Sequence, residues 1–206
     1  MNTSHPIDQR ILRAIWSSNN PLPFTAKELN AIGKPAAVRQ ALARLTKAGK
    51  LQRIRRGLYE RPRHHPIIGQ SPSSSMAIAE AVMKARNAPW QVSGAYAANL
   101  LGLSEQVPGQ LIIKTTASVP PVTLGNAKIR FQRVAPSSLI GAGSTAGTVI
   151  QAVRHLGPGG LESAVTERLR RNLEPATKRD LQRLAPQLPQ WMQPVIMEIS
   201  TGPAKQ

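Results

Sequence analysis

The stretch "AAVRQALARLTKAGKLQRIRRGLYERPR", residues 36–63, holds seven arginines and two lysines against a single acid, Glu60. Its first half repeats apolar residues at helical spacing, and its second half alternates apolar and polar residues about Arg56 and Gly57. The first pattern predicts an amphipathic helix, and the second predicts a short antiparallel hairpin. The cations are either an ordinary solvated surface or part of elements that face a polyanion.

The predicted helix begins at Pro35, because proline lacks the N–H group that the first helical position leaves unused. Its buried face consists of Val38, Ala41, Leu42, Leu45 and Ala48. Its outer face consists of Lys34, Ala36, Arg39, Gln40, Ala43, Arg44 and Lys47. In the hairpin, the residues expected to pack inward are Leu51, Ile54, Leu58 and Tyr59, and those expected to face solvent are Gln52, Arg53, Arg55 and Arg56.

Two further helices precede this stretch. The first is predicted from the apolar stripe of Ile7, Ile11, Leu12, Ile15 and Trp16. The second, within "FTAKELNAIG" (24–33), begins with a capping box between Thr25 and Glu28 and is expected to end at Gly33 in a left-handed conformation. The order of helix, short helix, basic helix and hairpin is typical of a winged helix-turn-helix. Because the cations fall on the two elements that this topology presents to a duplex, the pattern favours DNA binding.

The charge is unevenly distributed over the 206 residues, whose formal net charge is +17. Residues 1–66 contain 13 Lys and Arg against 3 acids, and residues 67–206 contain 14 against 7. The Pro- and Ser-rich stretch at 61–75 indicates a linker. We therefore expect an α+β protein with a winged helix-turn-helix at 1–66, a linker at 67–75 and an α+β domain at 76–206.

Hydrophobic periodicity predicts the elements of the second domain. Helices are expected near 76–87, with Ile78, Ala79, Val82 and Met83 inward, and near 94–101, with Tyr96, Leu100 and Leu101 inward. A strand in "QLIIKTTAS" is followed by a hairpin with Gly125 and Asn126 at its tip. Further helices are predicted in "STAGTVIQAVRHLG", "LESAVTERLRRNL" and "EPATKRDLQRLAPQLPQWM", and residues after Met192 carry little signal.

No residue pattern indicates catalysis, a cofactor or a metal. The chain has no cysteine, and its four histidines lack metal-ligand spacing, so His64 and His65 are interpreted as linker residues. Ser93 and Tyr96 are better explained by capping and packing, and "GPGG" at 157–160 by a helix end. The N-terminus lacks a signal-peptide core, and no apolar run spans a bilayer. We therefore expect a cytoplasmic protein that is not an enzyme and does not contact membranes.

Several stretches resemble the DUF6088 family, which is related to AbiEi-type antitoxins of type IV toxin–antitoxin systems. They are "SGAYAANLLGLSEQVPGQLIIKTT", "LGNAKIRFQRVAPSSL", "VIQAVRHLG" and "AAVRQALARLTKAGKLQRIRRGLYERP", and the resemblance covers roughly residues 7 to 192. It implies a winged helix that binds inverted repeats at its own promoter and a second domain that counters a nucleotidyltransferase-type toxin. The DNA-binding role then falls on Arg39, Gln40, Arg44, Lys47, Arg53, Arg55 and Arg56. In "GKPAAV", Lys34 and Pro35 replace the expected serine-type cap and basic residue, and Lys34 is kept as a candidate DNA contact.

The position of each cation predicts what it contacts. Arg39 and Gln40 lie in the half of the helix that enters a major groove, so base contacts are expected there. Arg44 and Lys47 lie farther along and are expected at phosphates. The hairpin arginines at 53, 55 and 56 are expected to clamp the backbone or minor groove, although at least one can lie along its own sheet.

Three alternatives stay open at this stage. The chain can restrain a toxin by direct contact or bind the toxin's RNA substrate, or it can be a plain regulator without a toxin partner. An enzyme is the weakest alternative, because no paired carboxylates are evident. Binding is expected as a homodimer or as cooperating monomers, and the basic stretches near 167–183 are left without a role.

Overall fold

The computed structural model describes residues 6–17, 22–62, 64–65, 69–70, 73–124 and 127–201. It has the mixed α+β architecture that the sequence predicts. The chain divides into two compact units: unit 1 comprises Met1–Asn87 with Leu124–Ala127, and unit 2 comprises Ala88–Thr123 with Lys128–Gln206. Residues 76–87 therefore belong to unit 1, whereas the sequence analysis places them after the linker. The boundaries at 66 and 75 stay predictions, and much of the linker lies outside the described residues.

Unit 1 begins with helix α1 (Pro6–Trp16), strand β1 (Phe24–Thr25), a 3-10 turn (Ala26–Leu29) and helix α2 (Pro35–Lys47). Proline occupies the first position of α2, as predicted. The capping box is also present, since the Thr25 backbone N–H donates a hydrogen bond to Glu28 Oε1 at 2.8 Å. The second helix is shorter than predicted and amounts to this single 3-10 turn.

The left-handed conformation predicted at Gly33 is wrong. Gly33 is not among the glycines with a positive φ. A Cβ at this position would lie 2.9 Å from Ile7 Cδ1. Glycine at residue 33 therefore leaves room for the end of the Ile7 side chain, and the backbone there does not turn left-handed.

Strands β1, β2 (Gln52–Arg55) and β3 (Leu58–Glu60) form an antiparallel sheet in the order β1-β3-β2. Gly57, in the turn between β2 and β3, has a φ of +82°, a conformation that favours glycine. Phe24 pairs with Tyr59, and their rings stack with centroids 6.2 Å apart. The predicted hairpin is thus confirmed, and it gains a third strand from the segment before the 3-10 turn.

One apolar core cluster of unit 1 lies under α2. It consists of Ile11, Leu29, Val38, Ala41, Leu42, Leu45, Leu51 and Tyr59. These residues include the predicted buried face of α2 except Ala48, which is exposed because it is the cap after the last helical residue. Trp16 of the predicted α1 stripe is also 49% exposed, and the Arg61 guanidinium lies 5.4 Å from the centre of its ring.

Unit 1 ends with two short elements and a helix. Strands β4 (His64–His65) and β5 (Gly69–Gln70) pair antiparallel. Helix α3 (Ser75–Arg86) follows, and the Ser74 side chain caps it by accepting a hydrogen bond from the Ala77 N–H at 3.2 Å. The predicted apolar face of α3 is confirmed by the burial of Ile78, Ala79, Val82 and Met83.

A second sheet belongs to unit 2, except that Leu124 and Ala127 at the ends of two of its strands are counted with unit 1. Its strands are β6 (Trp90–Val92), β7 (Leu111–Thr115), β8 (Val122–Leu124) and β9 (Ala127–Arg133), in the order β6-β7-β9-β8. Strands β6 and β7 are antiparallel, and β7 and β9 are parallel. The predicted strand and hairpin are both present, but the predicted tip at Gly125 and Asn126 lies outside the described residues.

The helices of unit 2 are α4 (Gly94–Leu100), α5 (Thr145–Leu156), α6 (Ser163–Asn172), α7 (Pro175–Leu184) and α8 (Met192–Thr201). Helices α5 to α8 enclose one apolar core that includes Ile150, Leu169, Leu181, Met192 and Ile196. Helix α8 was not predicted. Among the described residues, every helix is too short or too polar to cross a membrane.

The inward orientation predicted for Leu100 is wrong, since its side chain is 56% exposed. The fully buried residues of α4 are instead Ala97 and Ala98. Small residues face inward because α4 lies very close to α5: a Cβ at Gly94 would collide with the His155 side chain. A leucine on that face would not fit.

Candidate nucleic-acid interface

Helix α2 separates its apolar and basic residues onto opposite faces. Val38, Ala41 and Leu42 are fully buried, and Leu45 is 5% exposed. The residues predicted to face outward are all exposed, and they are Lys34, Ala36, Arg39, Gln40, Ala43, Arg44 and Lys47. Because the apolar face is held in the core, the helix cannot rotate without exposing it. The cations of α2 are therefore fixed on the outer side of unit 1.

Arg44 differs from the other cations of this face because it contacts an acid. Its Nη2 donates to Asp8 Oδ1 at 2.7 Å, and its Nε donates to Asp8 Oδ2 at 3.3 Å. Asp8 is 7% exposed, and the hydrogen bond from Arg44 is the main cause of the raised pKa of that guanidinium. The pair joins α2 to α1, and it neutralises part of the charge that the sequence assigns to phosphate contact.

Lys34 lies at the start of α2, where its backbone is extended and its side chain makes no capping hydrogen bond. It is exposed, as are Arg39, Gln40 and Lys47. None of the ion pairs found within the described residues includes these cations. Lys34, Arg39 and Lys47 are therefore exposed cations outside the ion pairs of the described residues.

The three hairpin arginines have different surroundings. Arg53 is exposed, but its Nε donates to the Arg55 carbonyl oxygen at 3.4 Å, so its side chain lies along its own hairpin. Arg55 is partly buried, and burial together with the nearby Arg86 charge lowers the pKa of its guanidinium. Arg56, in the turn, is exposed. On the hairpin, Arg53 and Arg56 are thus exposed, and Arg55 is partly buried.

A second basic surface is formed by α6 and α7, as the sequence indicates. Here acids lie beside the arginines: Arg170 contacts Glu198 at 3.2 Å, Arg171 contacts Glu167 at 3.7 Å, and Arg183 contacts Asp180 at 2.8 Å. Two of these pairs are within one helix, at spacings of four and three residues. The local charge of this surface is thus largely balanced.

Unit 2 also contains a polar cluster that the sequence analysis missed. The Lys114 Nζ donates to Gln151 Oε1 at 3.0 Å, and Gln151 Nε2 and Arg154 Nη1 both donate to the Ser138 carbonyl oxygen, at 2.8 and 3.2 Å. Burial lowers the pKa of Lys114, and the Arg154 charge lowers it further. Nothing in the predicted helix distinguishes Gln151, because its partner Lys114 lies 37 positions away and local sequence patterns do not link such distant residues.

The other residues that the sequence analysis weighed as possible functional residues lie in regular parts of the fold. Ser93 is buried at the start of α4, and its backbone N–H donates to the Ile112 carbonyl oxygen at 2.8 Å. The chain around residues 157–160 forms a 3-10 turn after α5. The backbone of His64 and His65 forms strand β4. Within the described ranges, no three His, Asp or Glu side chains come together as metal ligands would.

The fold and this surface define an α+β protein that exposes a basic helix face beside a basic hairpin. A family model matches residues 10–181, and the family is described as a family of unknown function, DUF6088. The chain belongs to this family. No curated protein matches it.

Proposed function

We propose that the chain is a sequence-specific DNA-binding repressor of its own promoter and the antitoxin of a type IV toxin–antitoxin system. The proposal assigns it no catalytic step and places it in the cytoplasm with its DNA. The observation that carries the DNA-binding part is the outer side of α2, where Lys34, Arg39, Gln40 and Lys47 are exposed while the apolar face is buried. A duplex is the partner that such a basic side fits.

Unit 1 supports a winged helix-turn-helix through the order of its elements. Helix α1, strand β1, the 3-10 turn, helix α2 and the β2–β3 hairpin follow one another, and β1 pairs with the second strand of the hairpin. In this topology α2 is the recognition helix and the hairpin is the wing. The two most basic elements of unit 1 would then be the two that approach DNA.

The proposed contacts follow from position and surroundings. Arg39 and Gln40 lie in the N-terminal half of α2 and are assigned to base edges, where Arg prefers guanine and Gln prefers adenine. Lys34 and Lys47 are assigned to phosphates on either side. Arg44 is assigned a weaker phosphate contact, because its guanidinium is shared with Asp8. Arg53, Arg55 and Arg56 are assigned to the wing.

The test of DNA binding is the affinity of the full chain for the DNA upstream of its own gene, measured by fluorescence anisotropy against a scrambled duplex. We expect log affinity to fall with log salt with a slope of about −0.9 per phosphate, and about six to ten phosphates per bound complex. The variant Gln40→Ala is expected to lower discrimination between the duplexes by roughly 5- to 100-fold. The control Gln187→Ala removes an exposed glutamine of unit 2. A flat salt dependence contradicts the proposal.

The antitoxin part is supported by the likeness to AbiEi-type antitoxins and by an intact second unit with its own core. The proposed partner is a nucleotidyltransferase-type toxin encoded next to this gene. Co-expression of the two is expected to restore growth, and the double variant Arg39→Ala/Gln40→Ala is expected to keep that protection while losing promoter binding. Loss of protection in the double variant would mean that protection against the toxin depends on DNA binding, as repression does. Absence of protection by the wild type would leave a plain regulator.

The alternative mechanism is restraint of the toxin by direct contact, or binding of the toxin's RNA substrate. This mechanism is favoured if the purified chain and toxin form a complex, or if added RNA reduces protection against the toxin. Repression itself is expected to involve a homodimer or cooperating monomers on paired half-sites about one helical turn apart. Sedimentation of the chain with duplexes carrying one or two half-sites distinguishes the two.

A further inference from the structure

One face of the unit 2 sheet is only partly covered by α5. On β6, Gln91 is buried, and its Nε2 donates to Thr148 Oγ1 of α5 at 2.7 Å. On β7, Lys114 pairs with Gln91 and is partly buried. On β9, Gln132 pairs with Lys114 and is exposed. Helix α5 therefore covers this face over β6 and reaches β7, and the β9 side chains beyond it are open to solvent.

The open part of this face is basic. Side chains two positions apart lie on the same face of a strand, so Lys128 and Arg130 share the face of Gln132, at intervals of about 6.6 to 6.8 Å along β9. Both cations are exposed. Arg154 of α5 and Lys114 of β7 are partly buried and lie where the cover ends. We call these five residues the β9 surface: Lys114, Lys128, Arg130, Gln132 and Arg154.

The two cations beside α5 have only neutral hydrogen-bond partners. Lys114 Nζ donates to Gln151 Oε1 at 3.0 Å, and Arg154 Nη1 donates to the Ser138 carbonyl oxygen at 3.2 Å. An ammonium has three N–H donors and a guanidinium has five, so each keeps donors for a further acceptor. Burial lowers the pKa of Lys114, and the Arg154 charge lowers it further. A carboxylate that accepts from both groups would stabilise both charges.

Acids are missing from the elements that form this surface. Strands β6, β7 and β9 and helix α5 contain no Asp or Glu, and the one acid between residues 88 and 156 is Glu105. Within the part of the chain that the structure describes, the ion pairs leave out all four cations of the β9 surface. A negatively charged partner is therefore the complement that this surface lacks.

The geometry favours an extended acidic peptide over a nucleic acid. An extended peptide presents every second side chain on one face, at the same interval as Lys128 and Arg130. The Gln132 amide can both donate and accept, as a peptide backbone requires. Single-stranded nucleic acids stack on aromatic side chains, whereas Trp90 and Phe131 lie on the opposite face because they alternate with Gln91 and Gln132.

We propose that the β9 surface binds an extended acidic segment of a partner protein. Asp or Glu residues at alternate positions of the segment face Lys128 and Arg130, and a further carboxylate lies between Lys114 and Arg154. The proposal goes beyond the DNA contacts proposed above, since it concerns other elements and a partner of different chemistry. It does not depend on DNA recognition by α2.

The test uses the full chain and a fluorescein-labelled peptide of about ten residues in which Glu alternates with Thr. One matched peptide has Gln in place of every Glu, and the other has the same composition with all Glu residues in one block. Anisotropy is measured at about 0.15 M salt, where charges more than about 8 Å apart are largely screened. We expect the alternating peptide to bind at least about fivefold more tightly than the block peptide, and binding of the Gln peptide to be lost.

Variants of the chain locate the bound peptide. Lys128→Gln/Arg130→Gln is expected to weaken binding of the alternating peptide by roughly 5- to 20-fold, and Lys114→Gln by roughly 3- to 10-fold. The control Arg39→Gln/Lys47→Gln removes the same charge from α2. It is expected to change peptide affinity less than about twofold while it lowers duplex affinity.

Three results would overturn the proposal. In the first, the alternating peptide binds no better than the block peptide or the Gln peptide. In the second, the α2 and β9 double variants weaken peptide binding equally, which means that the peptide responds only to net charge. In the third, a duplex of about 20 base pairs displaces the peptide and Lys128→Gln/Arg130→Gln weakens duplex binding as much as peptide binding, so that the surface binds nucleic acid instead. Duplex affinity that does not respond to the α2 variant contradicts the DNA proposal alone.

Discussion

The α2 face of unit 1 and the α6–α7 surface of unit 2 have similar basic sequences but different electrostatic surroundings. On α6 and α7, Arg170, Arg171 and Arg183 each lie beside an acid, two of them beside an acid in the same helix. On α2, Arg44 contacts an acid of another helix, whereas the ion pairs of the described chain leave Arg39 and Lys47 out. Exposed ion pairs contribute little stability, but they cancel the local field that attracts phosphates. For phosphate binding, it therefore matters more whether a cation lies beside an acid than how many cations a surface contains.

The largest expected effect concerns the cores behind these two surfaces. Leu42 under α2 and Leu181 of α7 are both fully buried. Replacing either by alanine is expected to lower the free energy of unfolding by about 2 to 5 kcal/mol, because a cavity replaces apolar contacts. Circular dichroism during urea unfolding measures this loss.

The two substitutions are expected to differ in their effect on DNA binding. Anisotropy of labelled duplex in increasing urea should show that Leu42→Ala releases DNA at a lower urea concentration than Leu181→Ala. Equal loss of binding in both variants would mean that the two units contribute alike to the interface.

The next effect is the removal of charge. The double variant Arg39→Gln/Lys47→Gln is expected to lower duplex affinity by roughly 10- to 100-fold, and to reduce the salt slope by about one, since the Lys47 phosphate contact is lost together with the Arg39 base contact. The matched double variant Arg171→Gln/Arg183→Gln removes the same charge from the paired surface and is expected to change affinity less than about twofold. Equal losses would contradict the distinction between the surfaces.

The affinity for duplex is expected to rise when the acid of the Asp8–Arg44 ion pair is replaced. Asp8→Asn removes the negative charge that Arg44 contacts, so the guanidinium becomes available to a phosphate. We expect duplex affinity to rise by roughly 2- to 5-fold at low salt and the salt slope to increase by up to about one. Glu80→Gln, which removes an exposed acid of α3, is the control. An unchanged affinity for Asp8→Asn would mean that Arg44 does not reach DNA.

The smallest effect is on the pH dependence of stability. The pKa of Glu28 is lowered because the hydrogen bonds from Lys84 and Thr25 outweigh the opposing effect of burial. A lowered folded-state pKa contributes stability above the unfolded value and loses it as pH falls through the folded value. Because 31% of the Glu28 side chain is exposed to solvent, screening limits this contribution to about a few tenths of a kcal/mol. Urea unfolding between about pH 5 and pH 3 should therefore lose slightly less stability in Glu28→Gln than in the wild type, and a larger loss in the variant contradicts this assignment.

Local patterns predicted most of the helices. The spacing of Val38, Ala41, Leu42 and Leu45 fixed both faces of α2, because residues three and four positions apart lie on one side of a helix. Helix α8 was missed since Val195, Ile196 and Ile199 have low intrinsic helix propensity and Pro194 lies near its start. Its burial against α6 and α7 stabilises it, and that packing is not visible in the local sequence.

The sequence by itself determined which face of each predicted helix is apolar and that the most basic segment is α2 with its hairpin. Only the tertiary structure decided which cations lie beside an acid and which lie near other cations. Asp8 and Arg44 are 36 positions apart, and Glu28 and Lys84 are 56 positions apart. Periodicity describes neighbours within one element, whereas a Coulomb interaction depends on distance in space, which the packing of separate elements sets.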